Sequence, residues 1–125
     1  LVIKDNHLWV HRGTQSLTDL ITKAKAVVPH TMKIEVEVRN EKEALECCKA
    51  GADIVMLDNF HPSDIQVVST NIKSEYPNVI LEVSGGITNQ TIHLYACSSV
   101  DVISQGQLTY NYSSIDYSMK LDNDV

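Results

Sequence analysis

The chain has 125 residues, 43% of them hydrophobic, and a formal net charge of -6, enough for one domain with a core of its own. The acidic balance excludes a general nucleic-acid surface, which needs clustered Lys and Arg to neutralise phosphates. No apolar run approaches the roughly 18–20 residues of a membrane span, and Leu1-Val2-Ile3 followed by Lys4-Asp5 is no signal-peptide core, so a cytoplasmic protein without membrane or nucleic-acid partners is expected.

Short strand-like runs alternate with helix-like ones, the pattern of consecutive βα units around a parallel sheet, repeated about five times. Leu1-Val2-Ile3-Lys4 reads as the end of a first strand and 5–13 as the loop after it. Thr14 or Ser16 caps a helix running to about Val27, with Leu17, Leu20, Ile21 and Ala24 at helical spacing, and Pro29 closes it. The second strand, 32–38, alternates apolar and charged residues. Asn40 then caps a helix over 41–50, and Gly51 ends it.

The third strand, 53–58, is nearly all apolar. Pro62 and Ser63 open the next helix, which carries Ile65, Val68 and Ile72 on one side and stops before Pro77. The fourth strand, 79–83, leads into Ser84-Gly85-Gly86-Ile87, and Thr88 is expected to cap a helix reaching about Cys97. The fifth strand is 100–104. These units make a partial barrel domain over 1–109. A turn-like segment, an edge strand over 115–121 and a tail make up 110–125. The chain lacks an initiator Met and opens inside a strand-like run, so a fragment is expected. Cys47, Cys48 and Cys97 lack zinc spacing, and an adjacent pair rarely bridges to itself. Buried, reduced thiols are expected.

Five right-handed parallel units make either most of a doubly wound sheet or more than half of a barrel. Strand faces favour the barrel. In 34–38, Ile34, Val36 and Val38 would pack on helices, leaving Glu35 and Glu37 opposite; in the fourth strand Leu81 and Val83 oppose Glu82 and Ser84. Neighbouring strands with inward carboxylates suit a polar barrel interior. The fold class expected is therefore α/β, the C-terminal part of an incomplete parallel barrel.

Functional groups of such barrels gather where the strands end. Those ends offer Lys4, Glu37, Asp58, Ser84-Gly85-Gly86 and Gly106. Glycine N–H groups can hold a phosphate, helped by a helix start after Gly86. Carboxylates can hold Mg²⁺ directly or through its waters, and the metal supplies positive charge to a chain whose only arginines are Arg12 and Arg39. Each residue has a plainer role. The glycines can simply permit a turn, Lys4 can be a rim charge, Glu35 and Glu37 can solvate an edge, and Asp58 can make an Asx turn. His7 is expected to fix its loop rather than act as a base or ligand, and His11, His30, His61 and His93 to be surface residues.

Taken together, Ile3-Lys4-Asp5-Asn6-His7, Lys33-Ile34-Glu35-Val36-Glu37-Val38, the run from Ala50 through Asp58-Asn59-Phe60, Glu82-Val83-Ser84-Gly85-Gly86-Ile87-Thr88 and the run from Asp101 through Gly106-Gln107-Leu108-Thr109 resemble quinolinate phosphoribosyltransferase. The resemblance implies a two-domain enzyme, an N-terminal sandwich and an incomplete α/β barrel, of which this chain would be the C-terminal part. Its reaction would join quinolinate to phosphoribosyl pyrophosphate, releasing pyrophosphate and CO₂ with Mg²⁺ and giving nicotinate mononucleotide for NAD synthesis. It implies that Lys4 helps bind the anionic substrates, that Glu37 and Asp58 face the ribose and the Mg-pyrophosphate, and that Ser84, Gly85, Gly86 and Gly106 cradle the 5′-phosphate. A homodimer or dimer-based hexamer is also implied. The Arg/Lys cluster that grips quinolinate would lie upstream of Ile3, so the chain alone should not turn over. Tyr110 stands where many relatives have His, and Gln105 and Gln107 flank Gly106 in place of small or apolar residues. The alternatives are a related transferase for another base, such as the molybdenum-utilisation homologue, and a non-catalytic phosphate-binding relative.

Overall fold

The structure, a computed structural model, describes residues 1–4, 6–7, 16–109, 115, 117 and 119. Five parallel strands, β1 (Val2–Ile3), β2 (Glu35–Val38), β3 (Ile54–Asp58), β4 (Ile80–Ser84) and β5 (Val102–Ile103), lie in the order in which they occur in the chain. Among the described residues the longer helices between them are α1 (Leu17–Val27), α2 (Glu41–Ala50) and α3 (Pro62–Glu75). A sheet that never reverses its order sends every right-handed crossover over the same face. That excludes the doubly wound arrangement, which reverses at its switch point, and leaves the incomplete barrel.

Burial follows the alternation seen in the sequence. Val36, Val38, Val55, Leu57, Leu81 and Val83 are buried and join one core with Ile21, Ala24, Ala44, Cys47, Ile65 and Ile72 of the helices. The opposite face carries Glu35, Glu37, Met56, Asp58, Glu82 and Ser84, all only half-buried. This second face is the wall of the barrel interior.

Helix ends fall where the caps put them. Ser16, one of the two predicted caps of α1, closes a capping box: its Oγ accepts from Asp19 N at 3.1 Å and its own N–H donates to Asp19 Oδ2 at 3.0 Å. Asn40 Oδ1 accepts from Glu43 N, and Gly51, at φ 86°, ends α2 in the left-handed conformation. Pro62 stands in the first turn of α3, and His61, exposed as expected, also caps the helix, its Nδ1 accepting from Ser63 N.

Some expectations need correction. The strands with inward carboxylates, β2 and β4, are not neighbours, because β3 lies between them, and the fifth strand is only Val102–Ile103 rather than 100–104. No α-helix follows Thr88; among the described residues 88–97 hold only a single 3-10 turn, Ile92–Leu94. Thr88 and Thr91 satisfy each other instead, through Thr88 N to Thr91 Oγ1 at 3.0 Å and hydroxyl to hydroxyl at 3.1 Å. Such local side-chain bonds compete with a helix, and β-branched Thr and Ile add little to resist them. The second strand is also shorter than 32–38, because Met32 N turns back to Pro29 O. The boundary expected at 109/110, Tyr110, His11, the tail and most of the closing strand lie outside the described residues.

All three cysteines are free. Burial pushes the Cys47 thiol up to about 12 and the Cys48 thiol to about 11, so both stay protonated and inert. Cys97 is only half-buried; partial burial raises its thiol, but hydrogen bonds from Ser99 and Ser69 outweigh that and leave it lowered.

Two aspartates pin the strand starts. Asp53 Oδ2 accepts from Ile34 N, and Asp101 Oδ2 from Leu81 N, both at 2.8 Å. Each precedes one strand and holds the backbone of the preceding one, at the end of the barrel where stability rather than chemistry is built.

Candidate functional site

Parallel strands put all their C-terminal ends on one side, and the register fixes who stands beside whom. Glu37 pairs with Met56 and Met56 with Glu82; one rung on the inner face further up, Asp58 pairs with Ser84. Lys4 follows β1, and its Nζ lies 3.9 Å from Glu37 Oε2. The Glu37 side chain is 12% exposed against 58% for Lys4, so a largely sheltered carboxylate faces a cation that can swing to a ligand. His7 Nδ1 accepts from Lys4 N at 3.1 Å and His7 N donates to Lys4 O at 2.9 Å. Both bonds hold His7 to the backbone of Lys4, the hydrogen-bonded place expected of it.

At the end of β3, Asn59 takes φ 56°, and its Nδ2 donates to Asp58 Oδ2 at 2.7 Å. Asn59 N also donates to Ser84 O at 3.0 Å, which locks the two strand ends together. Gly85 and Gly86 both have positive φ, at 103° and 60°, but for different reasons. A Cβ on Gly85 would lie 2.4 Å from Asn59 Oδ1 and 2.8 Å from Asn59 N, whereas one on Gly86 would meet nothing within 4 Å. Gly85 is therefore required by packing against Asn59; the open space in which a ligand could approach the backbone is at Gly86.

Without a helix after Thr88, the dipole contribution expected for an anion there is lost, and the turn's backbone N–H groups are what remains. Gly106 opens the 3-10 turn Gly106–Leu108 at the end of β5.

Sequence reasoning left Glu82 out of the site. Its register with Met56 places it on the inner face, where Ser104 Oγ donates to its Oε1 at 2.5 Å. Below it, burial raises the carboxyl of Glu35, the charge of Glu82 raises it further, and Lys4 works against both. The period-two pattern shared by Glu35-Val36-Glu37 and Glu82-Val83-Ser84 was the available signal. Among the described residues no three His, Cys, Asp or Glu converge into a cage for a metal. Glu37 and Asp58 are hard oxygen donors, the ligand type that a hydrated magnesium ion takes.

The fold and these strand ends define part of a parallel α/β barrel with a mouth of carboxylates and glycine turns. The chain belongs to the family described as "Quinolinate phosphoribosyl transferase, C-terminal domain", whose model matches residues 1–120. It is similar to the nicotinate-nucleotide pyrophosphorylase [carboxylating] of Dictyostelium discoideum, at 49% identity over 97% of this chain and 39% of that protein. The Rattus norvegicus protein of the same name is 40% identical over 97% of the chain and 40% of its own length. Among solved structures, NadC from Streptococcus pyogenes superposes with a TM-score of 0.77 at 35% identity, covering 96% of this chain and 40% of that one. The nicotinate-nucleotide pyrophosphorylase of Francisella tularensis gives 0.73 at 39% identity, covering 86% and 36%. The chain thus spans about 40% of the length of the curated relatives it matches.

Proposed function

We propose that the longer protein carrying this chain transfers the phosphoribosyl group of phosphoribosyl pyrophosphate to quinolinate and, with loss of CO₂, gives nicotinate mononucleotide and pyrophosphate for NAD synthesis. The observation that carries this is the gathering of the Lys4–Glu37 pair, Asp58 and the open Gly86 turn at one end of the inner face, in a chain of this family.

In this reading Lys4 attracts the anionic substrates, and Ser84, Gly85, Gly86 and Gly106 line the 5′-phosphate subsite, with Gly86 supplying the closest backbone approach. Glu37 and Asp58 would hold magnesium through water, and the ion would offset the charge of the leaving pyrophosphate. The same carboxylates favour the positive charge that grows on the ribosyl carbon as its bond to pyrophosphate breaks, because fixed charges aimed at the transition state need no reorganisation. Nothing in this part of the protein calls for a covalent nucleophile; orientation and electrostatics suffice. No helix among the described residues is long and apolar enough to cross a membrane. A cytoplasmic homodimer or dimer-based hexamer completes the proposal, on the strength of the family resemblance.

Calorimetric titration of Mg-phosphoribosyl pyrophosphate into the full-length protein tests it, beside a Glu37→Ala/Asp58→Ala double variant and followed by quinolinate addition and assay of nicotinate mononucleotide. Magnesium-dependent binding that the double variant loses, with product formed, is the expected result. Binding without product overturns the quinolinate assignment; no binding overturns the site.

A further inference from the structure

The two glutamines beside Gly106 depart from the small or apolar residues that the family resemblance leads one to expect, and the structure gives them a job. Gln105 is 7% exposed, one of two buried polar residues among those described. A buried carboxamide must find partners, and Gln105 spends its Nε2 on two: Asn89 Oδ1 at 2.9 Å and Gln107 Oε1 at 3.4 Å. Gln107 Oε1 in turn accepts from Asn89 N at 3.4 Å. The three residues form a closed triangle of amides.

Its position matters more than its composition. Asn89 follows the Gly85-Gly86 turn by three residues, anchored through buried Ile87 and the Thr88–Thr91 knot. Gln105 and Gln107 bracket Gly106. The β4–β5 ladder reaches its end at Ser104 N donating to Val83 O at 2.9 Å. Beyond that point both turns leave the sheet, and the amide triangle ties one to the other.

We infer that Asn89, Gln105 and Gln107 are positioning residues that clasp the two glycine turns at a fixed separation and so set the fit of the phosphate held between them. The inference rests on the phosphoribosyl reading of the site. An apolar residue at 105 would fill the same space but leave the turns joined, beyond the sheet, by the longer Asn89 N to Gln107 Oε1 bond; two donors and two acceptors at fixed angles hold a distance, which dispersion contacts do less sharply.

The test uses the full-length protein and three variants: Gln105→Met, which keeps length and volume at a buried position, Asn89→Ala, and the two combined. Steady-state kinetics with phosphoribosyl pyrophosphate and magnesium, and titration of the same ligand, are read beside thermal melting. Each single variant is expected to raise KM and Kd for phosphoribosyl pyrophosphate about five-fold with kcat changed less than two-fold. The double is expected to match the worse single rather than multiply the two, because both changes remove the same Gln105 Nε2 to Asn89 Oδ1 bond, the shortest of the clasp. Gln107→Ala, at a more exposed position, repeats the test should Gln105→Met fail to fold. Unchanged KM and Kd in folded variants, even with a lowered Tm, overturn the clasp while leaving the transferase reading intact, as do effects that multiply. Absence of ligand binding by the unaltered protein overturns the reading and the clasp together.

Discussion

Gly85 and Gly86 stand side by side with left-handed backbones, yet a methyl group added to each meets different surroundings, and the two should separate stability from binding. Gly85→Ala drives Cβ into the Asn59 backbone at 2.8 Å, which cannot swing away as a flexible side chain could, and it does so at φ 103°. A loss of more than about 2 kcal/mol is expected in denaturant unfolding. Gly86→Ala carries only the left-handed penalty, about 1–2 kcal/mol, because nothing lies within 4 Å. Under the proposed phosphate role its expected effect is on binding of phosphoribosyl pyrophosphate, whose approach the new methyl would obstruct. Similar losses of stability with equal affinity for the ligand would remove the phosphate role from Gly86. Glu35 gives a second residue-scale prediction. Its pKa is raised, chiefly by burial and then by Glu82. A carboxyl raised in the folded state weakens folding once pH climbs above its unfolded value, and that cost vanishes below it. Glu35→Gln is therefore expected to melt higher than the parent at neutral pH and to converge with it below about pH 4, near the ordinary glutamate pKa. Melting curves at a series of pH values decide it; a variant less stable at pH 7 would mean that the charge is used rather than tolerated.

Among elements, those the sequence announces most clearly are the ones stabilised locally. Ser16 with Asp19, Asn40 with Glu43 and Gly51 at a C-terminal cap are contacts within a few residues, so their spacing is visible before any fold is known. The alternation in β2 and β4 is equally local, and it named the inward carboxylates. The stretch after Thr88 misled because Ile92 and Tyr95 keep helical spacing while the threonines bond each other, a choice that spacing does not record. Asn59 over Gly85, Ser104 on Glu82 and the Asn89–Gln105 pair were beyond reach for another reason: each joins separate strand ends, and only the register brings them together. The basal pins belong to this scale as well. Partial burial pushes the Asp101 carboxyl up, but the Lys73 ammonium at 2.6 Å and the Leu81 N–H outweigh it and hold it below its ordinary value. A depressed carboxyl adds stability above its unfolded pKa and loses it as pH falls through the folded one. Asp101→Asn keeps an acceptor for Leu81 but not the charge opposite Lys73. It should lower Tm at pH 7, and the deficit should close below about pH 3. A deficit that persists undiminished there would assign the effect to geometry instead of charge.

For the molecule as a whole, a singly wound sheet of five strands has a consequence that a doubly wound one escapes. Among the described residues helices cover its outer face only, and the inner face keeps Ile54, Met56 and Ile80 half-buried among the carboxylates. Its edges are β1 and β5, two residues each, which carry Val2 and Val102 at 37% and 40% exposure, with Leu1 beside β1 at 49%. Short edges limit strand-to-strand pairing, but they do not hide the apolar rungs of an open barrel wall. In the relatives it matches, this chain accounts for about 40% of the length, so more than half of each of those proteins is available to cover such surfaces. The isolated 125-residue polypeptide is accordingly expected to self-associate, with a light-scattering mass that rises with concentration, and Val102→Lys to reduce it by placing a charge on one edge. A monodisperse monomer across the same concentrations would show that the open wall is stable in water. The carboxylates of the inner face, rather than any covering strands, would then be what keeps it soluble.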